Sequence, residues 1–344
     1  MERGRPSFGS AIPVVLLNDT RIDCHQGCSR VMATLEYLLA RIGCQVIATV
    51  PSRSPWRNDA LILQALDRAR LVVVNGEGTI HHDRSEGYSL LEVGACAKSR
   101  GVPAVLLNCT WQSNGSRFVE KLADFTRVAV RDSRSLREIQ QFGIDCAMAP
   151  DLSLYLEYNS QSNRKGVGFT DSVDRPTSVE LEVARSQYGG QYIPIQFSQA
   201  GWRGAYRFFR GYFGKQDLAH PLLAGRLLRL RLRQFRQQVN SDERFLDLVA
   251  ALELLISGRF HACTMALLAG TPFVAAKTNT DKISALIEDA GLSAWRAAMP
   301  LSVEALHEAR RIGWEPHESS AMADFLADAR RRTDALFADI KGLL

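Results

Sequence analysis

The residues best suited to chemistry in this chain are Arg259 and His261, in the segment Ser257–Ala262. This segment lies between an apolar run that predicts a buried strand and an apolar run that predicts a helix, and Gly258 permits the turn between them. Both side chains are therefore expected near a helix N-terminus, where an anion is favoured. Arginine can hold a phosphate or carboxylate through two hydrogen bonds, and histidine can donate a proton near neutral pH. We predict an anion-binding acid–base site, with a structural arginine and a core histidine as the alternative.

A second candidate cation, Arg131, follows another predicted strand and precedes Asp132-Ser133, which is typical of a helix start. Near the end of a strand it predicts a second phosphate-binding group, and an ion pair with Asp132 or Asp151 is the alternative. The loop after the predicted strand Pro272–Ala275 adds three candidates for binding the same anionic ligand: Lys277, Asn279 and Lys282.

Two polar loops nearer the N-terminus, Asn18–Gly27 and Asn75–Asp83, also follow predicted strands. Glycines in the second loop allow either a close approach to a ligand or a simple tight turn, and spacing alone favours the turn. We predict no metal site, because adjacent side chains such as His81 and His82 diverge and because Cys24, His25 and Cys28 lack an evident fourth ligand. The loops supply eight candidates for binding a second substrate: Asn18, His25, Asn75, Gly76, Glu77, Gly78, Thr79 and His81.

Apolar β-branched runs alternate with helical patterns along most of the chain, which predicts an α/β fold with parallel sheets. We expect two Rossmann-like domains whose sheets face a central cleft, over residues 1–155 and 164–320, and a C-terminal helix over 321–344 that packs across the hinge. The predicted strands are Pro13–Leu17, Val46–Val50, Leu71–Asn75, Ala104–Leu107, Arg127–Val130, Gly166–Phe169, Tyr192–Ile195, Leu254–Ser257 and Pro272–Ala275. The predicted helices are Ser29–Ile42, Leu90–Ser99, Ser133–Phe142, Ser178–Ser186, Ser241–Ala251, Phe260–Ala269, Lys282–Ala290 and Met322–Leu344.

Composition limits the class of protein. The 344 residues are 46% hydrophobic and 23% charged, which is ordinary for a globular protein and excludes collagen, coiled coil and disorder. No apolar run approaches the roughly 20 residues needed to cross a bilayer, and the first residues do not resemble a signal peptide. Seven scattered cysteines do not suit a disulfide framework, so we expect a reducing, cytoplasmic location.

The motifs, taken in order, resemble the polysaccharide pyruvyl transferase family. The segments similar to family motifs are Val72–Asp83, Val130–Ser133, Pro150-Asp151 and Ser257–Pro272. The last is similar to the family's glycine–x–arginine–x–histidine–alanine element and is the most specific. The chain departs from the family where Asn75 and Glu77 replace glycines, and where Asn18-Asp19-Thr20 and His25-Gln26-Gly27-Cys28 replace a glycine-rich asparagine–x–glycine–aspartate loop.

The resemblance implies a GT-B-like fold with the acceptor on the first domain and the donor, phosphoenolpyruvate, on the second. It implies that a pyruvate ketal is placed on a sugar of a surface polysaccharide or its lipid-linked precursor. Arg131, Arg259 and His261 match the positions used for donor binding and catalysis, and Gly258 and Lys282 match neighbouring family positions. Two arginines suit a phosphate and a carboxylate, and His261 would protonate the enol methylene, so no cofactor is expected. Two alternatives remain: a GT-B-like glycosyltransferase using a nucleotide sugar, and a non-catalytic glycan-binding protein.

One feature lies outside the resemblance. Segment 199–240 carries nine basic residues against one aspartate, so its net charge is +8, whereas the rest of the chain has a net charge of −3. Four arginines at helical spacing oppose an apolar leucine face, which is typical of a helix at an anionic membrane surface: Arg226, Arg229, Arg233 and Arg236. The alternative is a surface helix whose leucines pack on the protein, and nucleic-acid binding is not expected. We therefore predict a peripheral contact with the inner face of the membrane.

Overall fold

A computed structural model of the chain describes residues 11–159, 163–198, 221–276, 280–297 and 299–344. These residues form two parallel sheets with intervening helices, which confirms the predicted α/β class. The strands are β1 (Ile12–Asp19), β2 (Cys44–Pro51), β3 (Leu71–Asn75), β4 (Ala104–Cys109), β5 (Arg127–Val130), β6 (Ala147–Met148), β7 (Val167–Ser172), β8 (Gln191–Tyr192), β9 (Leu254–Gly258) and β10 (Phe273–Ala275). The helices are α1 (Gln26–Arg41), α2 (Ala60–Arg68), α3 (Ser85–Lys98), α4 (Ser116–Leu122), α5 (Ser133–Gln140), α6 (Arg175–Tyr188), α7 (Pro221–Arg236), α8 (Asp242–Ala250), α9 (Phe260–Leu268), α10 (Lys282–Asp289), α11 (Val303–Ile312) and α12 (Pro316–Lys341).

The chain divides into two compact units, each made of segments that are distant in sequence. The buried Arg30 explains why a short N-terminal segment joins the second unit. Its Nε donates to the carbonyl of Ser153 at 2.8 Å, and its Nη1 lies 3.1 Å from Oδ2 of Asp242. The first unit contains residues 11–20, 32–150 and 332–344, and the second contains Arg21–Val31 and the described part of Asp151–Arg331.

The first unit contains a six-stranded parallel sheet in the order β2-β1-β3-β4-β5-β6. Every residue of β3 and β4 is buried, as expected for strands covered by helices on both faces. Helices α2 and α5 begin at acidic caps: Asp59 accepts from the backbone N–H groups of Leu61 and Ile62, and Asp132 accepts from that of Ser135. Because all strands are parallel, their carboxyl ends share one edge, and the predicted polar loops leave from that edge.

The second unit contains a four-stranded parallel sheet in the order β10-β9-β7-β8. Helix α9 follows β9, and all nine of its residues are buried, which is typical of a helix that is apolar on every side. It packs into a core that includes Phe245, Leu255 and Phe273. His261, the second residue of α9, is therefore held in the first turn of a helix that is packed on all sides.

The structure differs from the sequence prediction at several elements. Helix α3 begins at Ser85 rather than Leu90, and the predicted strand Tyr192–Ile195 is reduced to β8. Pro194 explains the short strand, since proline has no N–H to donate to a β-ladder. Helices α2, α4 and α11 were not predicted. The part of the basic segment at 199–220 lies outside the described residues. No described helix combines the length and the apolar character that a membrane crossing needs.

Candidate active site

The predicted proton donor, His261, lies at the carboxyl end of β9 and is buried. Its Nε2 atom lies 3.6 Å from Oδ1 of Asp151, which is also buried. The Asp151 carboxylate is oriented by the backbone, because the N–H of Ser153 donates to Oδ1 at 3.0 Å. A carboxylate at ion-pair distance can orient an imidazole and balance the charge that it carries when protonated. The structure thus gives His261 an acidic neighbour from the Pro150-Asp151 turn.

Arg259 is the N-cap residue of α9 and forms a bidentate ion pair with Asp171. The Nε–Oδ1 and Nη2–Oδ2 distances are 2.8 and 2.6 Å. Asp171 is buried in β7 and also accepts from Nε2 of Gln234 at 2.8 Å. The two-pronged contact that the sequence predicts for a phosphate is therefore made with a carboxylate of the protein. An anion must approach the guanidinium from another side or displace Asp171.

His25, a predicted acceptor residue, packs against His261 in the second unit. The two ring centroids are 5.4 Å apart and the rings meet edge to face. Burial, and then the positive charges of His261, Arg259 and Lys282, hold the pKa of His25 well below its ordinary value. His25 is therefore neutral at neutral pH and borders the predicted proton donor.

Two glycines near this site are required by close contacts within the protein. A Cβ atom on Gly27 would lie 2.1 Å from Cβ of His261 and 2.2 Å from its Cγ. A Cβ atom on Gly258 would lie 2.3 Å from Cβ of Ser172 on the neighbouring strand β7. Gly27 lets the α1 segment contact the His261 ring, and Gly258 lets β9 approach β7. A direct role of Gly258 in donor binding stays a prediction.

The predicted donor loop is described only in part, because Lys277 and Asn279 lie outside the described residues. Lys282 is the first residue of α10, and its charge contributes to the low pKa of His25. A cavity of about 760 Å³ adjoins the loop and is bordered by Ala276 and Thr280. Among the described residues, the Thr280 hydroxyl is buried with no hydrogen-bond partner. Ala276 and Thr280 therefore border a space large enough for a ligand.

Four predicted acceptor residues meet in one buried network of the first unit. The Nδ2 atom of Asn18 donates to the carbonyl oxygens of Asn75 at 2.6 Å and Glu77 at 3.2 Å. The Thr79 hydroxyl donates to the Glu77 carbonyl at 2.9 Å, and the Thr20 hydroxyl donates to Oε2 of Glu77 at 2.6 Å. Asn18 has a φ angle of 64°, which asparagine tolerates better than most residues. The network fixes the loops at the carboxyl ends of β1 and β3.

The two glycines of this loop have structural reasons of their own. A Cβ atom on Gly76 would lie 2.6 Å from Cβ of Cys109, so glycine is needed for the close approach of β3 and β4. Gly78 has a φ angle of 69° and no atom within 4 Å of an added Cβ, as expected of a turn. Both observations agree with the turn that spacing alone favours.

The His81–Asp83 run forms protein contacts of its own. Nδ1 of His81 lies 2.9 Å from Nδ1 of His82. The Asp83 carboxylate accepts from the backbone N–H of Gly115, the N-cap residue of α4, at 2.9 Å. Asp83 therefore accepts a hydrogen bond at the start of α4. The role of His81 in acceptor binding stays a prediction.

A cavity of about 250 Å³ lies beside the Asn18 network in the first unit. Asn18 and Thr79 border it together with the indole of Trp56. Further polar residues around it are Arg53, Ser54, Ser85, Glu86 and Ser89. The cavity thus combines hydroxyl, amide and charged groups with one aromatic side chain.

Arg131, the third predicted catalytic residue, is buried in the first unit. Its Nε donates to the hydroxyl of Thr110 at 2.6 Å, and its backbone N–H donates to the carbonyl of Cys109 at 2.9 Å. Asp132 caps α5, as the sequence predicts. The guanidinium is thus held at the carboxyl ends of β4 and β5. Its contact with a donor stays a prediction.

Helix α7 carries the described part of the basic segment. Leu227 and Leu230 are buried, so this apolar side packs on the second unit, as in the alternative interpretation. Arg226 and Arg229 are exposed, and Arg233 pairs with Glu182. A membrane contact would therefore use the arginine side, and it stays a prediction.

Sequence reasoning did not identify Asp171, nor the proximity of Cys28 to His261. One ligand atom from each of His25, Cys28 and His261 lies within 4.8 Å of the others, and all three residues are buried. The sequence places His25 and Cys28 close together with Cys24, but it does not bring His261 to them. No local pattern predicts that contact, since the residues are far apart in sequence.

The fold is similar to that of solved GT-B enzymes. The UDP-GlcNAc 2-epimerase of Neisseria meningitidis, solved with UDP-GlcNAc bound, aligns with a TM-score of 0.52 and 10% identity, over 94% of this chain and 98% of the epimerase. A candidate UDP-N-acetylglucosamine 2-epimerase of Listeria monocytogenes aligns with a TM-score of 0.50 and 9% identity, over 96% and 94%. These likenesses support the GT-B-like fold.

The sequence itself matches one family model. No curated protein matches the chain significantly. The model for polysaccharide pyruvyl transferase matches residues 32–279. The match contains Arg131, Asp151, Arg259 and His261, and it begins after His25 and Cys28. Because it covers well over half of the sequence, the chain belongs to the polysaccharide pyruvyl transferase family.

Proposed function

We propose that this chain transfers pyruvate from phosphoenolpyruvate to a sugar of a surface polysaccharide, or of its lipid-linked precursor, and forms a ketal. Family membership supports the reaction class. The single observation that carries the assignment of roles is the buried pair of His261 and Asp151 at the start of α9. Arg259 and Lys282, whose positive charges act on the neighbouring His25, suit an anionic substrate and support this assignment.

The proposed chemistry begins with a proton from His261. The proton goes to the methylene carbon of phosphoenolpyruvate, which becomes a methyl group. A sugar hydroxyl adds at C2 and loses its proton, which returns to His261. Phosphate then leaves with the electron pair of its bond to C2, a second hydroxyl adds at C2, and the proton of that hydroxyl goes to the departing phosphate. General acid catalysis of this kind contributes roughly 10²–10⁴-fold to a rate. The scheme uses phosphoenolpyruvate as a substrate and needs no bound cofactor.

Arg259 is proposed to stabilise the departing phosphate from a fixed position. Its pair with Asp171 holds the guanidinium in one orientation, so little side-chain freedom is lost when an anion binds. Its position at the N-terminus of α9 adds backbone dipoles that favour negative charge. Arg131, Gly258, Lys277, Asn279 and Lys282 complete the proposed donor set.

The acceptor is proposed to bind on the first unit, at the polar cavity beside Asn18 and Thr79. Its volume of about 250 Å³ suits one sugar ring, and its hydroxyl and amide groups suit sugar hydroxyls. Trp56 adds an apolar wall of the kind that covers the C–H face of a sugar. The predicted acceptor residues Asn18, Asn75, Glu77 and Thr79 fix one side of this cavity through their network.

A lipid-linked acceptor would explain the basic segment at 199–240. The exposed arginines of α7 present positive charge, and each basic residue near an anionic surface contributes about 1 kcal/mol. We therefore propose a cytoplasmic protein that attaches peripherally to the inner face of the membrane. Attachment of this kind would bring the site to its acceptor.

The experiment that tests the function is a donor screen with the full chain. Phosphoenolpyruvate and a set of nucleotide sugars are each incubated with a panel of free and lipid-linked saccharides, and released phosphate and nucleotide are measured. We expect acceptor-dependent phosphate release from phosphoenolpyruvate, and its loss in His261→Ala with the fold intact by circular dichroism. Nucleotide release without phosphate release would contradict the proposal and favour a glycosyltransferase. Saccharide binding with no turnover from any donor would favour a glycan-binding protein.

A further inference from the structure

We propose that His25, Cys28 and His261 form a site for a thiophilic divalent metal ion such as Zn²⁺, and that the bound ion inhibits the transferase. The inhibitory part rests on the proposed function, because it assigns the proton donor role to His261. The site itself depends only on the three side chains. Two of them, His25 and Cys28, precede the segment that the family model matches.

The geometry brings one ligand atom of each residue within 4.8 Å of the others. Zn–N and Zn–S bonds of about 2.0–2.3 Å in a tetrahedral site separate the ligand atoms by about 3.5 Å. Each ligand atom therefore needs to move by only about 1 Å for the three side chains to bind one ion. His25 directly precedes α1 and Cys28 lies in its first turn, and the N–H of Ser29 donates to the carbonyl of His25 at 3.0 Å. The three-residue spacing therefore places the two side chains on one side of this turn.

The backbone on either side of His25 is tied to the second unit. The N–H of Gln26 donates to the carbonyl of Ile195 at 2.9 Å, and the N–H of Phe197 donates to the carbonyl of Cys24 at 2.9 Å. His261 is fixed independently in α9. The two parts of the cluster thus come from different elements that are both held in place before any ion binds.

The donor atoms select the kind of ion. Two imidazoles and one thiolate suit Zn²⁺ or Co²⁺, whereas Mg²⁺ and Ca²⁺ require oxygen ligands. Binding releases the Cys28 thiol proton and uses the lone pairs of two neutral imidazoles. Three protein ligands leave a fourth position for water or an anion.

Nearby charges are compatible with a cation. Arg259 and Lys282 disfavour it, but the Arg259 charge is balanced by the bidentate contact with Asp171. The Asp151 carboxylate, 3.6 Å from Nε2 of His261, and the Cys28 thiolate add negative charge close to the ion. An ion that occupies the imidazole lone pair of His261 excludes the proton that the transfer requires, so metal binding and turnover compete.

The test uses Co²⁺ as a spectroscopic probe on the full chain freed of metal. We expect about one equivalent of Co²⁺ per chain and a thiolate-to-cobalt charge-transfer band in the near ultraviolet. Cys28→Ser is expected to lose the band, and His25→Gln to weaken binding by at least about tenfold. Cys24→Ser is the matched control, since Cys24 is a nearby cysteine outside the cluster, and it should keep the band. No band in the wild type, or a band that survives Cys28→Ser, would overturn the site.

Two further measurements separate the site from the function. Zn²⁺ should raise the thermal midpoint of the wild type and not that of Cys28→Ser. Because each protein is compared with itself with and without Zn²⁺, the result can be interpreted even if Cys28→Ser is less stable than the wild type. In the phosphate-release assay, Zn²⁺ should inhibit and a chelator should restore turnover. If a chelator abolished turnover instead, the inhibitory role would be wrong. If phosphoenolpyruvate gave no turnover at all, the function would fail while the cobalt spectrum would still decide the site.

Discussion

Gly27→Ala tests the contact that holds the predicted proton donor in place. The new Cβ would lie 2.1 Å from Cβ of His261 and 2.2 Å from its Cγ, whereas carbon atoms in contact are separated by about 3.5–4.0 Å. The methyl group or the imidazole must therefore move by about 1.5 Å. Rotation of the His261 side chain cannot relieve this clash, because the nearest atom is its Cβ, which does not move when the side chain rotates about the Cα–Cβ bond.

The expected cost follows from overpacking. Forcing one extra methyl group into a filled core costs about 1–3 kcal/mol, and the better helix propensity of alanine offsets up to about 1 kcal/mol of this. For a unit of this size each kcal/mol lowers the thermal midpoint by about 2–4 °C. Displacement of a catalytic group by about 1 Å can lower turnover by about 10²-fold. We therefore expect a moderate loss of stability and a much larger loss of phosphate release.

The assay pairs thermal unfolding with acceptor-dependent phosphate release. Gly225→Ala is the matched control, because Gly225 also lies in a helix, is exposed and has no atom within 4 Å of an added Cβ. It should raise the midpoint slightly and leave turnover unchanged. If Gly27→Ala behaved like Gly225→Ala in both measurements, the packing of His261 against Gly27 would be refuted.

Three other predictions concern ion pairs and the basic helix. Arg259→Lys should lower turnover at least tenfold, because lysine cannot make both contacts with Asp171. Unchanged kinetics would contradict the proposal that the pair with Asp171 fixes the guanidinium for phosphate. Glu318→Gln should cost about 3–5 kcal/mol in urea unfolding by breaking a buried pair with Arg296, whereas the exposed pair partner Glu308→Gln should have little effect. Burial would raise the pKa of Glu318, but hydrogen bonds from Arg296 and from the N–H groups of Ser293 and Glu315 outweigh the effect of burial and lower that pKa. The stabilisation that the pair gives the folded state is therefore present above about pH 4.3, and it is lost as the pH falls through the folded-state pKa of Glu318. Replacing Arg226, Arg229, Arg233 and Arg236 with glutamine should abolish salt-sensitive co-sedimentation with anionic vesicles, and failure of the wild type to co-sediment at low salt would support the surface-helix alternative.

Much of the fold could be predicted because hydrophobic periodicity is a local property. Buried parallel strands such as β3 and β4 are continuous apolar runs, and their ends are marked by polar or glycine residues. Helix α2 is absent from the sequence prediction, although an aspartate such as Asp59 before an apolar pattern is a recognised signal for a helix start. The strand predicted at Tyr192–Ile195 is shorter in the structure, because Pro194 has no N–H to donate to a β-ladder.

The site could be predicted only in its local parts. The strand-to-helix turns identified Arg131, Arg259 and His261, because a turn of this kind is visible in a few adjacent residues. The partners of these groups come from elsewhere in the chain: Asp171 from β7 for Arg259, and His25 and Gly27 from the N-terminal segment for His261. Such contacts depend on tertiary packing, so a single sequence does not specify them.

Isotope incorporation from solvent tests the central claim most directly. The full chain is incubated in D₂O with phosphoenolpyruvate and the saccharide that supports phosphate release, and the product is analysed by mass spectrometry and NMR. Protonation of the methylene carbon predicts a ketal whose methyl group carries one deuterium, formed in equal amount with phosphate and absent with His261→Ala. A product that retains the enol methylene without deuterium, or a ketal formed at the wild-type rate by His261→Ala, would contradict the account.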